Sequence, residues 1–348
     1  MAEIIGLGLS HYPGPLVPAE CWPRMLKTNV EKGRIPADLY EDRARWPQGM
    51  VKEWGNDEGL SAALTHQQRL IAGHREMRRR LDDFDPDIVL VWGDDQYENF
   101  RKDGVPAFCV YIFDEIVCRP FANGMKGPFR TERNAWDLPT DSTITVRGHR
   151  DGAAALMKNL LSQDFDPAYA FEARDEKGLS HAFAYTALFL DYDRRGFDYP
   201  VIPLHVNCYG SQMMKTAARE PMLSPPSPSP RRCFALGAAV ARFFKSSPWR
   251  VALIGSSSWS HGSLTAKHQR LYPDIDADRK RFGELRSGAF RDWHRIELAE
   301  IEESGQNEFL NWICLAGAMS ELGYRADIVD YVESYIFNSS KCFAVFGP

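Results

Sequence analysis

Three short apolar runs that each stop at a polar cluster constrain this chain more than any other feature. Residues 3–9 end in Ser10-His11-Tyr12-Pro13-Gly14, residues 88–92 in Gly93-Asp94-Asp95-Gln96, and residues 249–255 in Ser256-Ser257-Ser258-Trp259-Ser260-His261. Runs of this length and composition read as buried strands. Proline and glycine stop the first and leave His11 at its carboxyl edge. Ahead of the second, Leu60, Leu64, Leu70, Ile71, Met77 and Leu81 suit an amphipathic helix over residues 60–81, and Asp85-Pro86-Asp87 turns the chain into the strand. A helix, a turn and a buried strand in succession are typical of α/β architecture. Open α/β sheets gather ligands beyond the carboxyl ends of their strands, so three clusters remote in sequence are predicted to meet in one cleft.

Further strands are predicted near residues 107–113 and 199–207, with helices over 152–162, 231–245 and 307–322. Residues 19–58 read as loops and short helices, and 119–145 as loop with one β-hairpin. The tail, residues 341–346, is predicted to add an edge strand. The one low-complexity stretch, 221–230, is a stiff Pro/Ser connection too short to mark a domain boundary. The expected architecture is a single αβα-type domain over residues 1–348, α/β in class, with a mixed central sheet and a cleft at its strand ends.

With 44% hydrophobic and 26% charged residues among 348, the chain has material for a sizeable core. A net charge of −5 without any Lys/Arg-rich tract argues against nucleic acid and for a small-molecule partner. The N-terminus has no basic-then-apolar leader, and no run nears the roughly 20 apolar residues that span a bilayer. The expectation is a cytoplasmic protein with no membrane segment. Seven cysteines without CxxC spacing disfavour both a disulfide framework and a thiolate zinc site. Cys109, Cys118, Cys208, Cys233, Cys314 and Cys342 sit among apolar or aromatic neighbours, as core residues do.

Four residues stand out chemically. His11 can offer one ring nitrogen to a metal while the other is held by the protein, and it equally suits an exposed loop. Glu308 opens an apolar helix and reads first as a helix-dipole partner. Together they also suit non-haem iron(II), which commonly takes two histidines and one carboxylate and keeps positions open. His181 and His261, flanked by small or apolar residues, are placed either to move protons or to sit hydrogen-bonded in a core. His66 and His74 read as surface residues of the 60–81 helix.

The order of these motifs resembles, from end to end, the catalytic subunit of the class III extradiol dioxygenases, the protocatechuate 4,5-dioxygenase-like group. Gly6-Leu7-Gly8-Leu9-Ser10-His11 is similar to that family's opening strand with its first iron-ligating histidine, and residues 87–96 fall where a second strand delivers another ligand. Ser180-His181-Ala182-Phe183 resembles the Asp-His-Ala/Gly-Phe motif whose histidine lies beside the substrate. Residues 203–207 and Arg231-Arg232-Cys233 resemble a Pro-x-x-x-Asn strand and an Arg-Arg-Cys helix. Residues 254–261 resemble the Gly-Gly-x-Ser-His segment carrying the acid–base histidine, and Gly305-Gln306-Asn307-Glu308 with Trp312 the helix bearing the iron carboxylate. The resemblance implies extradiol ring cleavage with Fe(II) as cofactor, and a catechol-type aromatic and O₂ as partners. It implies His11 and Glu308 as metal ligands, His261 taking a proton from a substrate hydroxyl, and His181 hydrogen-bonding the substrate. A homo-oligomer stays open. Arg101, Arg119 and Arg130 are candidates to meet a substrate carboxylate, and residues 20–60 to fill the space of the small partner subunit found in some relatives.

One departure touches the chemistry. Where the resemblance leads one to expect Asn-Asp-His, this chain reads Asp94-Asp95-Gln96. A glutamine carbonyl is a poorer donor to iron(II) than imidazole. Three arrangements stay open: Gln96 ligates beside His11 and Glu308; Asp94, Asp95, His66 or His74 replaces it; or the metal has been lost. Loss would leave a binding protein of the same fold. A zinc or manganese hydrolase using His11, Asp95 and Glu308 is a further alternative.

Overall fold

The computed structural model describes residues 2–101, 103–124, 129, 131, 133–210 and 225–348. Among these lie strands β1 (Ile4–Leu9), β2 (Ile88–Gly93), β3 (Phe108–Tyr111), β4 (Glu115–Cys118), β5 (Ile144–Arg147), β6 (Ala168–Ala170), β7 (Val201–Val206), β8 (Val251–Ser256), β9 (Arg325–Val332) and β10 (Lys341–Gly347). The helices are α1 (Arg24–Glu31), α2 (Ala37–Glu41), α3 (Gln48–Trp54), α4 (Leu60–Phe84), α5 (Phe121–Gly124), α6 (Arg150–Leu161), α7 (His181–Leu190), α8 (Pro230–Lys245), α9 (Ile275–Ser287), α10 (Leu298–Glu303) and α11 (Phe309–Leu322).

Eight strands form one mixed sheet in the order β6-β3-β7-β2-β8-β1-β10-β9. Its centre, β7-β2-β8-β1, is parallel, while β10 joins β1 and β3 joins β7 antiparallel. Every residue of β2, β7 and β8 is buried, as expected of parallel strands covered on both faces. One apolar core holds Leu70, Met77 and Leu81 of α4 with Phe183, Leu188 and Phe189 of α7. A second, on the other face, holds Leu156 of α6, Leu236 and Val240 of α8, and Trp312 and Ile313 of α11. The α/β class with a mixed sheet between helical layers matches the expectation.

The packing also fixes where α11 begins. A side chain at Gly8 of β1 would meet the Trp312 ring at 2.2 Å, so only glycine lets this helix lie against the strand. Gly317 of α11 meets α8 equally closely, since a Cβ there would sit 2.0 Å from the Phe234 carbonyl oxygen. Seated this way, α11 starts directly over the strand ends, with Glu308 as its N-terminal cap residue.

Several expectations need correction. The tail strand β10 is interior, buried from Lys341 to Phe346, because β9 pairs along its outer side. β9 was not foreseen; its charged, half-exposed sequence suits the true edge. The hairpin pairs β4 with β5 and so brackets the 119–145 loop instead of lying within it. His66 and His74 are not on the surface. They fall on the buried stripe Ala63, His66, Leu70, Gly73, His74, Met77, Leu81 of α4, whereas Leu64 is exposed. Helix α7 went unread because its continuous apolar run has no amphipathic period. Of the Pro/Ser stretch, residues 221–224 lie outside the described residues. All seven cysteines are buried and unpaired, and no helix among the described residues is long and apolar enough to cross a membrane.

Candidate active site

The parallel centre brings the ends of β1, β8, β2 and β7 side by side, and α11 and α7 close the space above them. His11, two residues beyond β1, is buried. Its Nδ1 lies 3.1 Å from Ser256 Oγ at the end of β8, and that hydroxyl lies 2.7 Å from Thr186 Oγ1 in α7. Thr186 gives its own proton to the Ala182 carbonyl at 2.6 Å. The chain of donors therefore runs His11 Nδ1–H, Ser256 O–H, Thr186 O–H, Ala182 carbonyl, and neutral His11 carries its proton on Nδ1. Its Nε2 is left with a lone pair facing the cavity, as a metal-binding imidazole requires.

What faces that nitrogen is acidic. Glu308 Oε2 lies 3.5 Å away and Asp94 Oδ1 3.6 Å away. His11 Nε2 and Asp94 Oδ2 are buried without any hydrogen-bond partner. A lone pair opposed to two buried acids calls for a proton or a cation among them, because burying unpaired charge is costly. Ligand atoms of His11, Asp94 and His181 lie within 4.8 Å of one another. The residues present thus fit a divalent ion.

Glu308 is the most heavily partnered group. His261 Nε2 lies 3.5 Å from its Oε2, Tyr209 donates its hydroxyl proton to Oε1, and Gln96 Nε2 stands 3.2 Å from the same oxygen. Burial pushes the Glu308 carboxyl up, but His261 and His11 prevail and hold it below the ordinary carboxylate range. Burial together with Glu308 drives Asp94 well above that range. Burial also lowers His11, against the pull of Glu308.

The other histidines are held by their inner nitrogens. His261 Nδ1 donates to the Trp259 carbonyl at 2.9 Å. His181, the first residue of α7, has Nδ1 2.9 Å from Glu98 Oε2 and its backbone N–H 3.0 Å from Oε1. Burial lowers the His181 pKa, yet Glu98 outweighs it and raises the imidazole to about 10. The structure brings His11, Asp94, Gln96, His181, His261 and Glu308 to one cavity region. Asp95 turns away and accepts from the backbone N–H groups of Glu98, Asn99 and Phe100 at 3.0, 2.9 and 3.3 Å.

The cavity in front of this cluster measures about 330 Å³, and its wall includes Tyr12, Met25, Phe129, Tyr185 and Leu264. Three of its residues escaped the sequence reading. Tyr209 follows β7 by three positions, so the strand-end rule applied to β7 would have found it. Glu98 lies two positions past Gln96 on the same loop. Arg34, exposed and so at the open end, carries no sequence signal. Arg101 instead pairs with Asp175 at 2.9 Å, Arg119 is exposed and does not line the cavity, and Arg130 lies outside the described residues.

The model of the family described as the catalytic LigB subunit of aromatic ring-opening dioxygenase matches residues 61–344. The chain belongs to this family. LigB-family dioxygenases are metal-dependent. A 2,3-dihydroxyphenylpropionate/2,3-dihydroxicinnamic acid 1,2-dioxygenase of Paraburkholderia phymatum is 31% identical over 188 residues, covering 54% of this chain and 47% of the relative. A similarly named enzyme of Dechloromonas aromatica is 28% identical over 210 residues, covering 60% and 51%. The matched stretches thus span about half the length of these relatives. A solved structure of protein JW3007 from Escherichia coli K12 aligns with a TM-score of 0.47 at 13% identity, over 80% of this chain and 92% of that one. Of the cavity residues, His11, Met25 and Arg34 precede the matched region, while Gln96, His181, His261 and Glu308 fall within it.

Proposed function

We propose that this protein is a non-haem Fe(II) extradiol dioxygenase that opens a catechol-type ring, with residues 1–348 acting as one catalytic domain. The observation that carries the reading is His11 Nε2, a buried lone pair opposed to two carboxylates beside a cavity of aromatic size. His11 and Glu308 would hold the ion together with a third group from the loop after β2. When bound there, Fe(II) supplies adjacent open positions for the diol and O₂ and lets electron density pass between them. The carbon–carbon bond beside the diol breaks and both oxygen atoms enter the product, so no external reductant is consumed.

The side chains of the cavity do the rest. His261, with Nδ1–H fixed on the Trp259 carbonyl, presents Nε2 as the base for a substrate hydroxyl. His181, held protonated by Glu98, presents its outer N–H to negative charge developing on the substrate. Tyr185, Phe129, Met25 and Leu264 pack the ring and keep water away. At the open end Arg34 makes no ion pair among the described residues, its only side-chain bond being to Asn29 at 3.4 Å. This suits a substrate whose ring carries an acidic substituent, in keeping with the propionate and cinnamate in the relatives' names. The buried, unpaired cysteines suit a reducing compartment such as the cytoplasm.

The test is O₂ uptake by iron-loaded protein with 2,3-dihydroxyphenylpropionate and with plain catechol. The expected result is one O₂ consumed per ring opened, with lower KM for the acidic substrate. Arg34→Ala should raise that KM about tenfold and leave the KM for catechol alone. Zinc content without O₂ uptake would overturn the reading in favour of hydrolysis.

A further inference from the structure

Gln96 stands where the family resemblance places a metal-binding imidazole, yet its surroundings give it another task. Its amide nitrogen lies 2.8 Å from Tyr209 Oη and 3.2 Å from Glu308 Oε1. A carboxylate only accepts, so the side that Gln96 turns to Glu308 must be its NH₂ and not its carbonyl. Tyr209 spends its single proton on the same Glu308 oxygen and therefore receives the amide. Amide and phenol together engage Oε1. The other oxygen, Oε2, stays on the side of His11 and His261, 3.5 Å from each.

Asp94 is the opposite case. It is 0% exposed, and its Oδ1 accepts a bond from Asn311 at 3.2 Å and lies 3.6 Å from His11 Nε2. Its Oδ2 has no partner, and no lysine or arginine forms an ion pair with it among the described residues. Its neighbour Asp95 is fully occupied by backbone N–H groups and cannot take its place. A carboxyl so deeply buried with an idle oxygen must be neutralised by a proton or paired with a cation, and His11 Nε2 beside it is equally idle and ready to share one.

We infer that Asp94 and not Gln96 completes the metal centre with His11 and Glu308, and that Gln96 and Tyr209 are positioning residues that clamp Glu308 with Oε2 towards the ion. This rests on the reading of the cluster as a metal centre. A centre with one imidazole and two carboxylates departs from the two-histidine, one-carboxylate set usual for Fe(II) and shifts the preference towards oxygen-seeking ions such as Mn(II). Clamped ligating carboxylates of this kind are a general device for orienting a metal's ligands.

The test is anaerobic titration of the full chain with Co(II), followed by visible absorbance and by metal content. Asp94→Asn should weaken binding by more than about 100-fold, towards the level of His11→Ala. Gln96→Ala and Tyr209→Phe should cost about 10- to 100-fold and keep the wild-type spectrum, because no ligand changes. Gln96→Ala matching Asp94→Asn in affinity loss, or altering the spectrum, would overturn the inference. So would Asp94→Asn with wild-type affinity. If Asp94→Asn does not fold, as circular dichroism would reveal, the Gln96→Ala spectrum decides alone. Wild-type protein that takes up no Co(II) would instead contradict the metal-centre reading itself.

Discussion

Two buried groups of charge lie on either side of the cavity wall, and only in one of them is every oxygen of the acid bonded. Behind Tyr12, Glu53 accepts from Ser334 Oγ and from the backbone N–H groups of Tyr335 and Ile336, at 2.9, 2.6 and 3.0 Å. Its positive neighbour Lys341 is fully buried, donates to the carbonyls of Phe337 and Ser339, and sits 3.7 Å from the Tyr12 ring centroid. Burial lowers Lys341 to about 7 and raises Glu53 to about 7. Every polar atom of that acid and that amine is used. In front of Tyr12, the acids Asp94 and Glu308 face His11 with no lysine beside them, and Asp94 Oδ2 and His11 Nε2 are idle. The same cost of burial is met from within the chain in one place and left for an ion in the other. An orphaned acid oxygen beside an orphaned imidazole nitrogen, more than acidity, is what sets the cavity group apart.

This contrast breaks most visibly at His11. His11→Ala should lower turnover by about 10⁴-fold or more through loss of the metal, read as kcat together with metal content. His261→Ala should lower kcat by about a hundred- to a thousandfold while metal content stays at the wild-type level. Metal loss in that variant would move His261 from proton transfer to ion binding. On the other side, Lys341→Met strips the Phe337 and Ser339 carbonyls of their buried donor and should cost about 1–3 kcal/mol in urea unfolding, with metal binding intact.

A comparable effect concerns Glu98 and pH. His181 is raised to about 10 in the folded protein, above its unfolded value of about 6.5. Its pairing therefore stabilises fully below pH ~6.5 and fades as pH rises through about 10. Glu98→Gln should remove about 1.5–3 kcal/mol at neutral pH and flatten the slope of metal-free stability between those limits. An unchanged slope would show that the pair contributes nothing.

Much of this was legible in the sequence, for a physical reason. Strand ends announce themselves: an apolar run that stops at Ser10-His11 or at Asp94-Asp95-Gln96 reports both a buried strand and what it presents. The mixed sheet and the gathering of His11, His181, His261 and Glu308 follow from that pattern and from motif order. What failed were properties set by tertiary packing. His66 and His74 look polar and yet lie on the buried stripe of α4, and β10 looks terminal and yet is covered by β9. The roles of Asp94, Asp95 and Gln96 could not be separated by residue type. The roles proposed for them rest on side-chain directions, which residue type does not give. Arg34 belongs to a segment that carries no motif, whereas Tyr209 lies where the strand-end rule, extended to β7, would have pointed.

Ring opening at this site requires that the strand-end cluster bind a divalent ion. Anaerobically purified protein reconstituted with Fe(II) should hold one ion per chain, retain it in Lys341→Met, and lose it in both His11→Ala and Glu308→Gln. An ion retained by both of those last two variants, or none in the wild type, would contradict it.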